Sequence, residues 1–296
     1  MRTTDRPFPP QLALLTGVLA AATASVFIRL AQGEASALAV AAWRLMLATL
    51  ILAPFALARR REELSRLTRR EWALALGSGL LLAVHFATWI GSLYLTSVAA
   101  SVVLVSTSPL WVAVGSHLFL RERMNRWTVT GLAIALVGST VIGMGDAGSG
   151  RHQLGGDALA LAGALSVAGY FLIGRRLRAR LSLLGYVFPV YGTAALALLA
   201  GATVGRVAMS GYSALTWASL LLLALLPQIV GHSSLNYALR HLTATYVTLA
   251  VLGEPIGSTL LAWALLGESP TLPTLVGGAL ILAGIVVAGR SPAAPS

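Results

Sequence analysis

The sequence predicts an all-α integral membrane protein with ten transmembrane helices, arranged as two inverted repeats of five helices each. Three observations predict this fold class. The 296-residue chain is 57% hydrophobic and only 10% charged, whereas roughly 25% of the residues in soluble domains are charged. Its apolar residues fall into ten runs of about 20 residues, the length that crosses a bilayer core. Its two halves resemble each other at a fixed offset of 146 positions.

The apolar runs predict helices rather than barrel strands, which are about 10 residues long and alternate in polarity. In the first half the predicted spans are Gln11–Ala31, Ala35–Leu57, Trp72–Leu95, Ser97–Leu120 and Trp127–Gly145. In the second half they are Gly155–Gly174, Leu183–Thr203, Ser213–Leu239, Thr243–Leu266 and Thr271–Gly289. The first run follows Arg2 and Arg6 as a signal peptide would, but it is too long for one and the repeat requires it as a helix.

The connections between spans are short, the longest being Ala58–Glu71, so no soluble domain is expected. All 21 residues of the Lys and Arg class are Arg, and 17 of them fall on alternate loops that would share one side of the membrane. The positive-inside rule places these loops and both termini in the cytoplasm. Charge sorted in this way argues against nucleic-acid binding, despite a net charge of +11. Since the chain has no cysteine, disulfides and thiolate metal sites are excluded.

The repeat is defined by residues that chance rarely matches in a membrane chain. At the offset of 146, Pro109 coincides with Pro255, Glu122 with Glu268, and Gly131, Gly138 and Gly143 with Gly277, Gly284 and Gly289. Five helices per half is an odd number, so the second half enters the membrane from the opposite side. We therefore expect one membrane domain made of inverted repeats at 1–150 and 151–296, the arrangement typical of secondary transporters, with the site between the halves at mid-depth.

The doubled Pro–Glu–Gly spacing, with the run Arg-Leu-Met-Leu-Ala that begins at Arg44, carries a family resemblance. Over essentially the whole chain it resembles the EamA-type branch of the drug/metabolite transporter superfamily, nearest to its bacterial amino-acid exporters. The resemblance implies a ten-helix exporter in the bacterial inner (plasma) membrane that works by alternating access.

Arg44 and Glu254 are the two charged candidates within spans, and a charge at the bilayer centre costs about 2.5–3.5 kcal/mol on insertion. Glu254 directly precedes Pro255, which removes a backbone donor and predicts a kinked helix. Its carboxylate suits a cation, a proton or a substrate ammonium, or it is satisfied by a neighbouring helix. Arg44 offers a planar fork for a carboxylate, or it serves helix packing. Pro109, Pro227 and Pro255 are the candidate hinges.

Two polar stripes at helical spacing either line a pathway or join helices by hydrogen bonds. The third span carries His85 and Trp89, and the eighth carries Gln228, His232 and Asn236. The stripes do not coincide at the repeat offset, because His232 falls on Phe86 and not on His85. The candidate substrate-binding residues are Arg44, His85, Trp89, Trp111, Tyr170, Tyr191, Gln228, His232, Asn236 and Glu254.

Other features indicate structural roles. The arginines on both sides of Glu122 indicate that Glu122 caps a helix or forms an interfacial ion pair. The small pairs Gly131/Ala135 and Gly284/Ala288 predict close packing of the fifth and tenth helices.

The sequence has no metal-binding helix motif, nucleophile elbow or phosphate-binding loop, so we expect no enzyme activity, no cofactor and no metal. The absence of Lys disfavours phosphorylated substrates. Among the candidate residues, a cation, an anion and aromatic rings together match an amino acid. We therefore expect the small-molecule substrates to be aromatic and other neutral amino acids. A multidrug or cationic-compound exporter fits Glu254 and the aromatic residues alone, and a membrane channel is the rival class. We expect a monomer or weak homo-oligomer in the lipid bilayer, with no nucleic-acid partner.

Overall fold

The fold is known from a computed structural model that describes residues 8–92, 95, 101, 104–122, 124–145, 153–266 and 271–290. Throughout this part of the chain every regular element is a helix. The first half contains α1 Pro10–Ala22, α2 Ala24–Ala31, α3 Ala37–Arg59, α4 Arg61–Ser65, α5 Arg69–Ser92, α6 Ser108–Gly115 and α7 Arg126–Gly145. The second half contains α8 Gln153–Arg178, α9 Leu183–Val204, α10 Ala214–Leu223, α11 Ser233–Ala238, α12 Ala244–Val251, α13 Glu254–Leu266 and α14 Leu272–Gly289. Two π-helical segments, Ser116–Leu120 and Ala224–His232, follow α6 and α10.

Seven continuous helical stretches are long and apolar enough to cross a membrane. They are Pro10–Ala31, Ala37–Arg59, Arg69–Ser92, Leu154–Arg178, Leu183–Val204, Ala214–Ala238 and Ala244–Leu261. The other three predicted spans coincide with shorter apolar helices at Ser108–Leu120, Arg126–Val141 and Leu275–Ala288. The predicted all-helical membrane protein is thus confirmed, while ten full crossings stay a prediction. The start of the predicted span Ser97–Leu120 and the residue Glu268 lie outside the described residues.

The helices α3 and α9 begin at positions 146 residues apart, Ala37 and Leu183. Ser36 caps α3 by accepting a hydrogen bond from the Ala39 N–H at 3.3 Å. Ser182 caps α9 in the same way, from the Gly185 N–H at 3.0 Å. Serine at this position satisfies a backbone donor that the helix itself cannot pair.

The fourth and ninth spans are both interrupted. Their helices resume at Ser108 and Glu254, after turns at residues 106–107 and 252–253, and these positions again differ by 146. Each break directly precedes a proline, at Pro109 and Pro255. At the kink predicted before Pro255, the structure has a two-residue turn between α12 and α13, within the helical stretch Ala244–Leu261.

α7 and α14 pack together through glycines and run in opposite directions. A methyl group at Gly284 would lie 2.5 Å from the Gly131 carbonyl oxygen, and one at Gly138 would lie 2.6 Å from that of Gly277. Because the earlier glycine of one helix meets the later glycine of the other, the helices are antiparallel. The close packing predicted from the small residues is confirmed.

The two halves interleave around the centre of the molecule. α8 packs on α5, where a methyl group at Gly163 would lie 3.4 Å from the Trp89 Cβ. Reciprocally, α1 packs on α13, and the Ser258 hydroxyl donates to the Ala22 carbonyl at 3.0 Å. The first helix of each half thus lies against helices of the other half. This exchange brings α3, α5, α8, α9 and the eighth span together around the main core.

Candidate functional site

The centre of the molecule holds a connected set of buried polar and aromatic side chains, here named the central polar cluster. Its members are Arg44, Phe86, Tyr170, Tyr191, Gln228, His232 and Asn236, and each is at most 8% exposed. They come from α3, α5, α8, α9, the π segment Ala224–His232 and α11. Both halves of the chain therefore contribute to one site.

Arg44 is the charged member of the cluster and is 2% exposed. Its Nε donates to the Gln228 Oε1 at 2.7 Å, and its guanidinium carbon lies 4.3 Å from the centroid of the Phe86 ring. The second distance is within the range of a cation–π contact. Within the described part of the chain, no carboxylate lies within the 4.0 Å of an ion pair with Arg44.

The eighth span presents Gln228, His232 and Asn236 on one face, as their spacing predicts. Pro227 lies inside the π segment, and such segments are frequent at functional sites. Three side-chain atoms on this face are buried without a hydrogen-bond partner among the residues that the structure describes: Gln228 Nε2, His232 Nδ1 and Asn236 Oδ1. Since buried polar atoms are nearly always paired, their grouping on one face indicates that a polar ligand or water completes this site.

Aromatic rings enclose the same face. The Phe86 ring meets the His232 ring edge-on at 5.5 Å, and the Tyr170 ring lies 6.1 Å from the His232 ring. The Asn236 side-chain amide donates to the Tyr170 hydroxyl and, at 2.7 Å, to the His232 carbonyl. The Tyr191 hydroxyl donates to the Gln228 carbonyl at 3.4 Å. The rings are thus tied to the helix that carries the unpartnered atoms.

Phe86 and His232 correspond at the repeat offset of 146 and are in direct contact. Phe86, which corresponds to His232 in the first half, is thus also the residue against which His232 packs. The sequence did not single out Phe86, because an apolar side chain carries no chemical signature of a site.

The stripe on the third span is satisfied within the protein. The His85 Nδ1 forms a hydrogen bond with the Gly163 carbonyl at 3.0 Å, and the His85 ring stacks on Trp89 at 5.8 Å. The Ser92 hydroxyl bonds to that of Ser101 at 2.6 Å. Of the two roles left open for this stripe, the geometry favours holding α5 against α8.

Glu254 and Trp111 lie outside the cluster. Glu254 is half-buried at the first turn of α13, within the electrostatic influence of Arg44 but without an ion pair to it at 4.0 Å. Trp111 is 39% exposed and donates to the Thr107 hydroxyl at 3.2 Å. Of the ten candidate residues, Trp111 is the one with no recorded hydrogen bond, ring contact or electrostatic interaction to another candidate in the described structure.

Two arginines that the sequence assigned to loop charge tie the eighth span to α8. The Arg178 Nε donates to the Asn236 carbonyl at 3.0 Å. The Arg175 Nη1 donates to the Leu239 carbonyl at 2.8 Å, and its Nε pairs with Glu122 at 2.8 Å. The ion pair predicted for Glu122 is confirmed, but the partner recorded for it comes from the other half of the chain. Across the described residues, no group of three or more His, Asp or Glu side chains is arranged to hold a metal ion.

Comparison with known proteins identifies relatives of the whole chain. A family model described as the EamA-like transporter family matches residues 9–144 and again residues 154–290. The chain is 26% identical over 281 residues to an uncharacterized transporter of Archaeoglobus fulgidus, covering 95% of this chain and 96% of that one. A crystal structure that is 22% identical superposes with a TM-score of 0.79, covering 94% of this chain and 96% of that chain, so the fold is shared.

Two further relatives match over part of their length. The chain is 27% identical over 190 residues to the uncharacterized transporter YdfC of Bacillus subtilis, covering 64% of this chain and 61% of that one. It is 29% identical over 191 residues to a probable terminal-alkyne amino-acid exporter of Streptantibioticus cattleyicolor, covering 63% of this chain and 62% of that one. The matched region thus spans about three fifths of each of these relatives.

Proposed function

Because the chain belongs to the EamA-like transporter family, we propose that it is a secondary transporter that exports amino acids, aromatic and other neutral ones, by alternating access. The observation that carries the proposal is the row of unpartnered polar atoms on Gln228, His232 and Asn236. A small solute with hydrogen-bonding groups satisfies these atoms when it binds, and water replaces it when it leaves.

The proposed architecture is two inverted repeats, at 1–150 and 151–296, with ten crossings and both termini in the cytoplasm. It is supported by the family model, which matches twice, and by the helix starts and breaks at the same offset. The antiparallel contact between α7 and α14 also supports it, because corresponding helices of inverted repeats run in opposite directions. The distribution of arginines among the loops supports a plasma-membrane protein in this orientation.

Alternating access requires segments that bend, and the proposed hinges are Pro109, Pro227 and Pro255. Two of them begin the helices that follow the breaks, and Pro227 lies in the π segment beside the central polar cluster. Backbone that is already free of regular α-helical hydrogen bonding changes direction at low cost. Bending there exposes the cluster to one side of the membrane and then to the other.

Amino acids are proposed as substrates because the site combines a fixed cation, aromatic rings and amide groups. Glu254 provides an anion that interacts electrostatically with Arg44. One relative, in Streptantibioticus cattleyicolor, carries the name of a probable amino-acid exporter. A zwitterion with an apolar side chain matches this set of groups.

Counterflow in proteoliposomes tests the proposal. Vesicles are loaded with unlabelled leucine, phenylalanine, threonine or a cationic dye, and uptake of trace labelled amino acid is followed. We expect internal amino acid to accelerate uptake over that of empty vesicles. Equal uptake without internal solute would indicate a channel, and exchange of the dye alone would indicate a drug exporter.

A further inference from the structure

We infer that Arg44 and Gln228 form a carboxylate-binding subsite within the central polar cluster, so that a transported solute must carry a carboxylate group. This inference rests on the proposed transport function and names the chemical group that the same site recognises.

The first argument is the charge on Arg44. A cation that is 2% exposed is taken out of water, and buried charges in proteins are ordinarily paired or bound to a ligand. The Arg44 Nε is the guanidinium nitrogen with a recorded hydrogen bond, and its partner is the neutral amide of Gln228. Both Nη groups lack a hydrogen-bond partner among the described residues. In the described part of the chain, the outer edge of the Arg44 guanidinium therefore has no hydrogen-bond partner.

The second argument is the orientation that Gln228 imposes. Its Oε1 accepts from the Arg44 Nε at 2.7 Å, which leaves the Nε2 of the same amide group close to the guanidinium. That Nε2 is buried and has no partner. Beside the Arg44 guanidinium, the groups without a partner among the described residues are thus N–H donors, and the guanidinium itself carries a positive charge. Planar donors of this kind match the two oxygens of a carboxylate in a bidentate arrangement.

The third argument is the position of Glu254, the charged residue that interacts electrostatically with Arg44. Glu254 is half-buried and forms no ion pair with Arg44 within 4.0 Å. Glu254 is thus an acidic residue whose charge acts on Arg44 without a direct ion pair. With a carboxylate on Arg44, Glu254 is the candidate partner for the ammonium of a zwitterion.

The subsite occurs once in the molecule. At the repeat offset Arg44 corresponds to Val190 and Gln228 corresponds to Leu82, both apolar and fully buried. The donors are therefore not required by the repeat, and the other half has no second copy of them.

A competition series tests the inference in proteoliposomes that exchange labelled phenylalanine. The competitors are unlabelled phenylalanine, hydrocinnamate, phenylalaninamide and phenethylamine, which share one ring and differ in the carboxylate and the ammonium. We expect the two carboxylates to compete at least about tenfold more strongly than the amide and the amine, a difference of about one decade in affinity.

Two variants assign this preference to the subsite. Arg44→Lys keeps the charge but loses the planar fork, and Gln228→Met keeps the shape but loses the amide donor. In both we expect the phenylalanine concentration for half-maximal exchange to rise at least about tenfold and the preference for carboxylates to shrink. Arg176→Lys is the matched control, because Arg176 is exposed and lies outside the cluster. Monodisperse elution in detergent confirms that each variant folds.

The outcomes separate the inference from the proposed function. If phenylalanine exchanges but its amide and amine compete equally well, the carboxylate subsite is wrong and the transport proposal stands. If the dye exchanges and phenylalanine does not, the amino-acid proposal itself is wrong. If either variant fails to fold, the competitor series on the unmodified protein still decides the question.

Discussion

Arg178 is a charged side chain that lies inside the protein, although its sequence context assigns it to a loop rich in arginine. It is 1% exposed, and it donates to the carbonyls of Asn236 and Leu181. Arg176 is exposed on the same helix. Side chains two positions apart point about 200° apart around an α-helix. The helix geometry alone therefore turns Arg178 inward and Arg176 outward.

Replacing Arg178 with Ala is expected to lower the free energy of unfolding by about 2–3 kcal/mol, because hydrogen bonds to a charged group are lost and buried carbonyls are left unpaired. Thermal melting of the purified protein in detergent measures the change. Arg176→Ala serves as the control and should change the free energy of unfolding by less than about 0.5 kcal/mol. Equal melting temperatures for the two variants would contradict the structural role of Arg178.

Glu34 binds the start of α10 from the loop after α2. Its Oε2 accepts from the Ser213 N–H at 2.7 Å. This backbone hydrogen bond, helped by the side chains of Thr216 and Ser213, lowers the pKa of Glu34 below the ordinary value of 4.5. Because the folded pKa lies below the unfolded one, ionised Glu34 stabilises the fold above about pH 4.5, and this stabilisation is lost as the pH falls through the folded pKa.

We therefore expect the melting temperature to decline as the pH is lowered below about 4.5, and to decline less steeply in Glu34→Gln. At neutral pH the variant should melt slightly below the unmodified protein, because the amide accepts more weakly than the carboxylate. Melting curves over a pH series measure both effects. Parallel pH profiles for the two proteins would show that Glu34 does not contribute.

At the scale of residues, chemical type identified much of the site. Arg44, Gln228, His232 and Asn236 stand out because polar groups are rare in spans, and they do meet in the structure. Trp111 was chosen for its aromatic ring alone and lies half-exposed, since an aromatic ring suits packing and lipid contact as well as binding. Phe86 was missed because contact, not composition, places it in the cluster.

The glycine contact between α7 and α14 shows how two helices approach when no side chain separates them. The oxygen atoms of one backbone lie where a Cβ of the other helix would have to be. Backbone atoms cannot rotate away as the end of a side chain can, so an added methyl group must push the helices apart. Overpacking of this kind costs about 1–3 kcal/mol.

Gly131→Ala is accordingly expected to lower the melting temperature, since its methyl group would overlap the Gly284 carbonyl. Gly77→Ala is the matched control, a helical glycine with nothing within 4 Å of the added methyl group. That variant should be neutral or stabilised by up to about 1 kcal/mol, because alanine favours the helix. The prediction fails if the two variants melt alike.

At the scale of elements, the local sequence predicted the change of direction before Pro255, where the ninth span contains a turn. The caps Ser36 and Ser182 come from the structure and were not part of the prediction. The π segment Ala224–His232 was not predicted either, although Pro227 within it was a candidate hinge. A π-helical segment has a wider turn than an α-helix. Whether it forms depends on how neighbouring helices pack against it, and a local sequence pattern does not encode this packing.

The proposed inverted topology places corresponding loops of the two halves on opposite sides of the membrane. The loop after α3 and the loop after α9 lie at corresponding positions of the two halves, so they belong on opposite sides. Each carries an exposed serine, Ser65 and Ser210. The chain has no cysteine of its own, so single cysteines can be introduced without background.

Ser210→Cys should react with a membrane-impermeant maleimide in intact cells, and Ser65→Cys should react only in inverted vesicles, because the proposed orientation places the arginine-rich loops in the cytoplasm. Mass-shift labelling followed on a gel measures both. Labelling of both cysteines from the same side would refute the inverted arrangement while leaving the helical fold untouched.

At the scale of the molecule, the sequence predicted which residues correspond between the halves but not which residues touch. The offset of 146 is visible in prolines and glycines, because backbone geometry constrains those residue types directly. The interleaving of α1 and α8 into the opposite halves leaves no such trace. It arises from the shapes of whole helices, and the pairing of Glu122 with Arg175 follows from it.

The single copy of Arg44 and Gln228, opposite Val190 and Leu82, has a consequence for handedness. A binding site formed by two chemically identical halves would bind a solute equally well in two opposite orientations. In the proposed site, Arg44, Glu254 and the ring of Phe86 are three different candidate points of attachment. A mirror-image amino acid can reach only two of three such points at once, so we expect the proposed carrier to discriminate between enantiomers of the same solute.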